Sequence, residues 1–214
     1  MAINNFIFDF GGVLLDWDPR YLYRKVFKTE EEMESFLQKI CTSEWNSQMD
    51  AGKPFAEGVK ELIAIHPEYT KEIQLYKDRW PEMISGPIDE GVSILEQVNA
   101  SHKFKLFGLT NWSSETFPFA YNNYKFLEIF EGIVVSGEEK MKKPEKRIFH
   151  LLLERYHLNP EECIFIDDNQ NNIDMANKLG IHGILCQDFA KVKEEILNLP
   201  DLNLNKNNEI IISK

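Results

Sequence analysis

Phe6-Ile7-Phe8-Asp9-Phe10-Gly11-Gly12-Val13 is an apolar run that ends on a single carboxylate and turns at once into two glycines. Consecutive apolar residues bounded by glycine suit a strand covered on both faces, as in a parallel sheet. Asp9 then stands at the carboxyl end of that strand, where open α/β sheets bind their ligands. Four more apolar runs of strand length follow, at residues 104–109, 133–135, 164–166 and 181–185. Helix-period segments separate them. Residues 172–179 carry Ile173, Ala176 and Leu179 at helical spacing and stop before Gly180, a common residue just past a helix end. This alternation predicts an α/β fold, a parallel sheet with helices on both faces.

The rhythm breaks between the first two strands. Residues 17–85 contain no convincing strand, whereas 21–27, 31–40, 55–65 and 73–83 show helical apolar spacing. An inserted helical cap is expected there. The chain would divide into a core of residues 1–16 and 86–200, a cap of residues 17–85, and a tail of residues 201–214. Asp18 followed by Pro19 looks like a helix cap, and Thr29 with Glu32 fits a capping box. Beyond Pro200 the sequence is rich in asparagine, with Ile210 to Ile212 as a candidate edge strand.

A chain of 214 residues with 43% hydrophobic residues can bury one substantial core and a smaller satellite. The first residues carry no basic flank and the apolar run behind them is short, so neither a signal peptide nor a membrane span is expected, and a cytoplasmic location is the default. A net charge of −11 argues against nucleic acid or an anionic membrane as partner, because those surfaces demand a basic patch. Cys41, Cys163 and Cys186 are widely spaced and read as buried free thiols. The five histidines show no ligand spacing.

Four short segments fall at the carboxyl ends of predicted strands or at helix starts: Asp9 to Val13, Thr110-Asn111, Lys143-Pro144 and Asp167-Asp168-Asn169. Carboxylate clusters on neighbouring strands suit a hard divalent cation such as Mg²⁺, which prefers oxygen ligands. Thr110 and Asn111 precede a helix expected near Ser113, whose first backbone N–H groups would hold a phosphate oxygen. Lys143 supplies positive charge that would hold an anionic nucleophile and phosphoryl oxygens together. Lys140 and Lys142 are competitors, and the place of Lys143 directly before Pro144 selects it.

The order, types and spacing of these segments resemble the haloacid dehalogenase superfamily, over roughly residues 6–185. The resemblance implies a Rossmann-like sheet of strand order 3-2-1-4-5 and a helical cap of the family's first subclass, placed between the first and second motifs to close over the site and select substrate. It implies that Asp9 is a nucleophile forming an aspartyl-phosphate, that Gly11 lends its backbone carbonyl to Mg²⁺, that Thr110 and Lys143 bind the transferring phosphoryl group, and that Asp168 and Asp167 complete the metal site. Asn111, Trp45 and Asp50 join the candidate substrate contacts, with Asn46, Met49 and Trp80 also able to line a sugar pocket.

One departure restricts the chemistry. Phosphatases of the family commonly carry a second Asp two residues after the nucleophile, to protonate the leaving oxygen and activate water, and here that position is Gly11. A positioned acid or base contributes roughly 10²–10⁴-fold. The first motif is similar to that of a bacterial subgroup containing an α-glucose-1-phosphate phosphatase, which also lacks the second acid. A small phosphorylated metabolite, first of all a sugar 1-phosphate, is therefore the expected substrate. Asp16 is a candidate substitute acid, while capping explains Asp18. The alternatives are a metal-independent 2-haloacid dehalogenase, a phosphomutase, and a phosphate-binding or regulatory protein with negligible turnover.

Overall fold

The computed structural model describes residues 2–198; the tail and its candidate strand at Ile210 to Ile212 lie outside the described residues. Five parallel strands form the central sheet: β1 (Asn5–Phe8), β4 (Lys105–Thr110), β5 (Gly132–Val135), β6 (Cys163–Asp167) and β7 (His182–Leu185), hydrogen-bonded in the order β5-β4-β1-β6-β7. Counted among themselves they run 3-2-1-4-5. Each apolar run became a strand because both faces are covered. Phe6 and Phe8 face one layer, and Ile7 faces the other. Ile164 and Ile166 of β6 likewise oppose Cys163 and Phe165.

Helices Lys146–Arg155 and Gln170–Lys178 cover the face of Ile7, contributing Ile148, Phe149, Leu152, Ile173 and Ala176. Asp89–Ala100 and Phe189–Asn198 cover the other through Ile94, Leu95, Val98, Val192 and Ile196. Helix Gln170–Lys178 stops as expected, with Gly180 at a φ of 85° beyond its end. The helix expected near Ser113 begins instead at Phe117. Pro118 explains the shift, since proline has no N–H and fits only a first helical turn.

Between β1 and β4 the chain leaves the sheet through a two-stranded antiparallel ladder that the sequence did not reveal, β2 (Leu15–Trp17) paired with β3 (Ile84–Pro87). Residues 20–83 between those strands hold only helices, 3₁₀ turns and connections. Thr29 caps its helix as expected, accepting the Glu32 amide at 3.2 Å, whereas the short helix Arg20–Tyr23 has Pro19 as its N-cap and Asp18, one residue earlier, accepts the Arg20 amide at 2.8 Å. Helix Ser43–Asp50, capped by Thr42, was not anticipated. The interior of this insertion is continuous with the Phe6 and Phe8 layer, through Tyr23, Phe36, Trp45, Phe55 and Tyr76.

Ile7 is wholly buried at the centre of the sheet. Ile7→Ala is expected to cost about 2–5 kcal/mol of stability, read by urea denaturation.

Candidate active site

In-register parallel pairing collects the chemistry on one edge. Phe8 lies opposite both Gly108 and Ile166, so Asp9 and Asp167 each follow a paired residue directly and Thr110 ends the strand between β1 and β5. The Asp9 amide donates to the Ile166 carbonyl at 2.9 Å, and the Phe10 amide then donates to Asp9 Oδ1 at 2.7 Å. The chain turns over Phe10, whose carbonyl accepts the amides of Leu14 and Leu15 at 2.8 Å each.

Lys143 is buried, and its ammonium sits 2.9 Å from Asp9 Oδ1 and 2.7 Å from Asp167 Oδ2. Neither Lys140 nor Lys142 competes for this place; Lys142 reaches the hydroxyl of Ser47 in the insertion. The Asn111 side chain fixes the Lys143 backbone on both sides, accepting its N–H at 2.8 Å and donating to its carbonyl at 3.0 Å. Asn111 therefore positions the lysine, and it also lines the neighbouring cavity, where a substrate contact was expected. Asp167 is saturated: beyond Lys143, its oxygens accept Asn172 Nδ2 at 3.0 Å each and the Asn169 amide at 2.8 Å. Asn172 is a contributor that sequence reasoning missed. Its signal was a polar residue on the first turn of an otherwise amphipathic helix.

Asp9, Asp167 and Asp168 each offer an oxygen within 4.8 Å of the others. Asp168 is exposed, and Gly12 makes room for it: at a φ of 72°, a Cβ there would lie 2.3 Å from Asp168 Oδ2. Burial first, then Asp167 and Asp168, raise the Asp9 carboxyl above its ordinary range, against the pull of Lys143. Burial and Asp167 raise Asp168 as well. Burial alone would favour a neutral amine at Lys143, but Asp167 and Asp9 outweigh it and the group is raised. Three carboxylates around one ammonium leave an excess of negative charge, and this donor set fits a divalent cation.

Next to this cluster lies a cavity of about 80 Å³, lined by Gly11, Trp17, Asn46, Asp50, Trp80, Asn111 and Trp112. Trp45, expected to line it, does not. Its indole donates to the Gly58 carbonyl at 3.3 Å and its ring packs edge-on to Tyr76, inside the insertion. Met49 is wholly buried and also absent from the lining. Trp17 and Trp112 take their place, unsignalled because the direction of a side chain is not legible from spacing. Asp16 stands aside, accepting the Tyr21 hydroxyl at 2.6 Å. The Trp17 indole nitrogen and the Asn46 amide oxygen are buried without a protein partner, unlike most buried polar atoms.

The family model of haloacid dehalogenase-like hydrolases matches residues 3–180. The chain belongs to that family. Among curated relatives of this hydrolase, the sesquiterpene phosphatase astK of Aspergillus oryzae is 24% identical over 193 residues, covering 90% of this chain and 94% of that protein. The D-ribitol-5-phosphate phosphatase of Bacteroides thetaiotaomicron is 20% identical over 200 residues, covering 91% and 97%. Drimenol cyclase drtB of Aspergillus calidoustus and acyl-CoA dehydrogenase family member 10 of Mus musculus are matched over only 19% and 7% of their lengths. A HAD family enzyme of Bacteroides thetaiotaomicron, solved as a magnesium complex, superposes with a TM-score of 0.69 at 22% identity, covering 90% of this chain and 99% of that one, a likeness of fold. Among the described residues, no helix of this hydrolase is long and apolar enough to cross a membrane.

Lys143→Met leaves two buried carboxylates without their cation. The metal-free protein is expected to lose about 3–5 kcal/mol at neutral pH, measured by urea denaturation. With Lys143 gone the folded state would hold protons that the unfolded state releases above about pH 4, so the deficit shrinks as pH falls toward that value.

Proposed function

We propose that this hydrolase is a Mg²⁺-dependent phosphatase of a small phosphorylated metabolite. The observation that carries the reading is the Lys143 ammonium held between Asp9 and Asp167, with Asp168 completing a three-carboxylate cluster. Asp9, on the strand end and beside the cavity, is the nucleophile; its oxygen attacks phosphorus and forms an aspartyl-phosphate that water then hydrolyses. Lys143 holds Asp9 in place and meets the negative charge of the phosphoryl oxygens, so that two anions can approach. Thr110, buried at the adjacent strand end, and the loop behind it take the remaining phosphoryl oxygens.

Asp9, the Gly11 carbonyl and Asp168 would hold the cation directly, while Asp167, saturated by Lys143, Asn169 and Asn172, orients the lysine. Bound there, Mg²⁺ supplies compensation of the charge that builds on the phosphoryl group. The 2-haloacid dehalogenase reading fits less well. A haloacid is itself an anion whose displaced carbon needs no cation site, and three carboxylates against one ammonium would repel it.

The helical insertion, residues 17–85, acts in this reading as the cap that selects the leaving group. The two full-length relatives differ on that group, a sesquiterpene in one and a polyol in the other. The cavity favours the second. Trp17, Trp80 and Trp112 offer flat faces, while Asn46 and Asp50 bring polar side chains to the same lining. A sugar phosphate is the preferred substrate, with a sugar 1-phosphate first among them.

Hydrolysis of an aryl phosphate should stop with EDTA and return with Mg²⁺, and Asp9→Asn should abolish it; turnover surviving either treatment refutes the reading. Gly12→Ala should displace Asp168 and weaken Mg²⁺ binding by roughly 10–100-fold in calorimetry, the scale seen when a ligand loses its support. Unchanged affinity would remove Asp168 from the metal site.

A further inference from the structure

Gly11 leaves the nucleophile loop without a side chain that can move a proton, yet one carboxyl group shares its cavity. Asp50 and Gly11 both line it. Asp50 closes helix Ser43–Asp50, and the core grips it there. Its carbonyl accepts the Ser136 hydroxyl at 2.5 Å, and its carboxyl accepts Asn46 Nδ2 at 3.0 Å. The same Ser136 hydroxyl accepts the Trp112 amide at 2.8 Å, so the Asp50 backbone is tied through it to the loop behind Thr110. Two residues on, Gly52 has a φ of 95°, and a Cβ there would come within 2.9 Å of the Gly137 carbonyl. The insertion's chain runs hard against the core at this point and holds Asp50 in register with the site.

The surroundings suit an acid that changes its protonation state. Burial pushes the Asp50 carboxyl up to about 7, against the opposing pull of the Lys142 ammonium and the Ser113 N–H. The negative end of its own helix acts in the same direction as burial. Tyr76, on helix Thr70–Asp78, is the other titratable group coupled to it, and stays a neutral phenol. Near neutrality both forms of Asp50 are populated, the condition under which one group can donate a proton and later accept one.

Resting on the phosphatase reading, the geometry points to Asp50 as the general acid and base of this hydrolase, in the role that Gly11 leaves empty. As Asp9 Oδ bonds to phosphorus and the bond from phosphorus to the leaving oxygen breaks, the Asp50 proton passes to that oxygen and the alcohol departs neutral. Asp50, now a carboxylate, takes a proton from water whose oxygen bonds to phosphorus. The bond from phosphorus to Asp9 breaks, and Asp9 leaves as carboxylate beside inorganic phosphate. Asp50 ends protonated, as it began.

The test compares first-turnover alcohol release from 4-nitrophenyl phosphate, whose phenolate leaves without help, with that from the alkyl phosphate the wild type hydrolyses fastest, both in Mg²⁺. In Asp50→Asn the alkyl-to-aryl rate ratio should fall by roughly 10²–10⁴; an unchanged ratio overturns the assignment. Should the variant not fold, the pH dependence of the wild type decides. Its ratio should fall as pH rises through about 7, and a flat ratio overturns the role. A wild type that hydrolyses the aryl phosphate but no alkyl phosphate overturns it too, whereas one that hydrolyses neither refutes the phosphatase reading itself.

Discussion

A lysine ammonium buried between two aspartates organises this molecule's chemistry. Lys143 cannot remain charged in the interior unless anions meet it, and the carboxyls of Asp9 and Asp167 flank it at 2.9 and 2.7 Å. The surrounding fold supplies what the triad requires. In-register pairing of β1 with β6 brings the two carboxyls to one edge, Asn111 clamps the lysine's backbone, and Asn172 with the Asn169 amide saturates Asp167. Only Asp9 and the exposed Asp168 keep oxygens for other partners. A structural ion pair alone would not call for the third carboxylate.

Much of this was legible in the chain because it depends on periodicity and order. Apolar runs became strands where both faces were covered, and residues that end strands meet at one edge of a parallel sheet whatever their separation in sequence. What escaped notice depends on direction and on short elements. The β2 and β3 ladder is three and four residues long and includes Gly86 and Pro87, so it carries no alternating pattern. Helix Ser43–Asp50 has only Trp45 and Met49 as buried anchors, too few to show a period. Trp45 and Trp17 look alike as letters, but one spends its indole on Gly58 and the other faces the cavity. Likewise, spacing put Asn111 at the site, while its partner was the lysine backbone.

The division of labour follows from that geometry. In the proposed function the sheet edge would carry the phosphoryl chemistry, and the helical insertion would contribute Trp17, Asn46, Asp50 and Trp80 to the cavity beside it. Gly11 leaves the loop after Asp9 without a side chain while keeping its carbonyl, and a Cβ there would meet nothing within 4 Å. Proton handling and part of leaving-group selection would then lie on one helix of the insertion, which carries both Asn46 and Asp50, coupling which alcohol binds to whether it is protonated as it departs.

The central claim is that Asp9 accepts the phosphoryl group. Protein quenched in acid during turnover with Mg²⁺ and a phosphorylated substrate, then mapped by peptide mass, tests it most directly. The account predicts a phosphoryl adduct on the peptide containing Asp9, at that residue. An adduct on another residue would contradict it, as would steady turnover with Asp9 unmodified at every quench time.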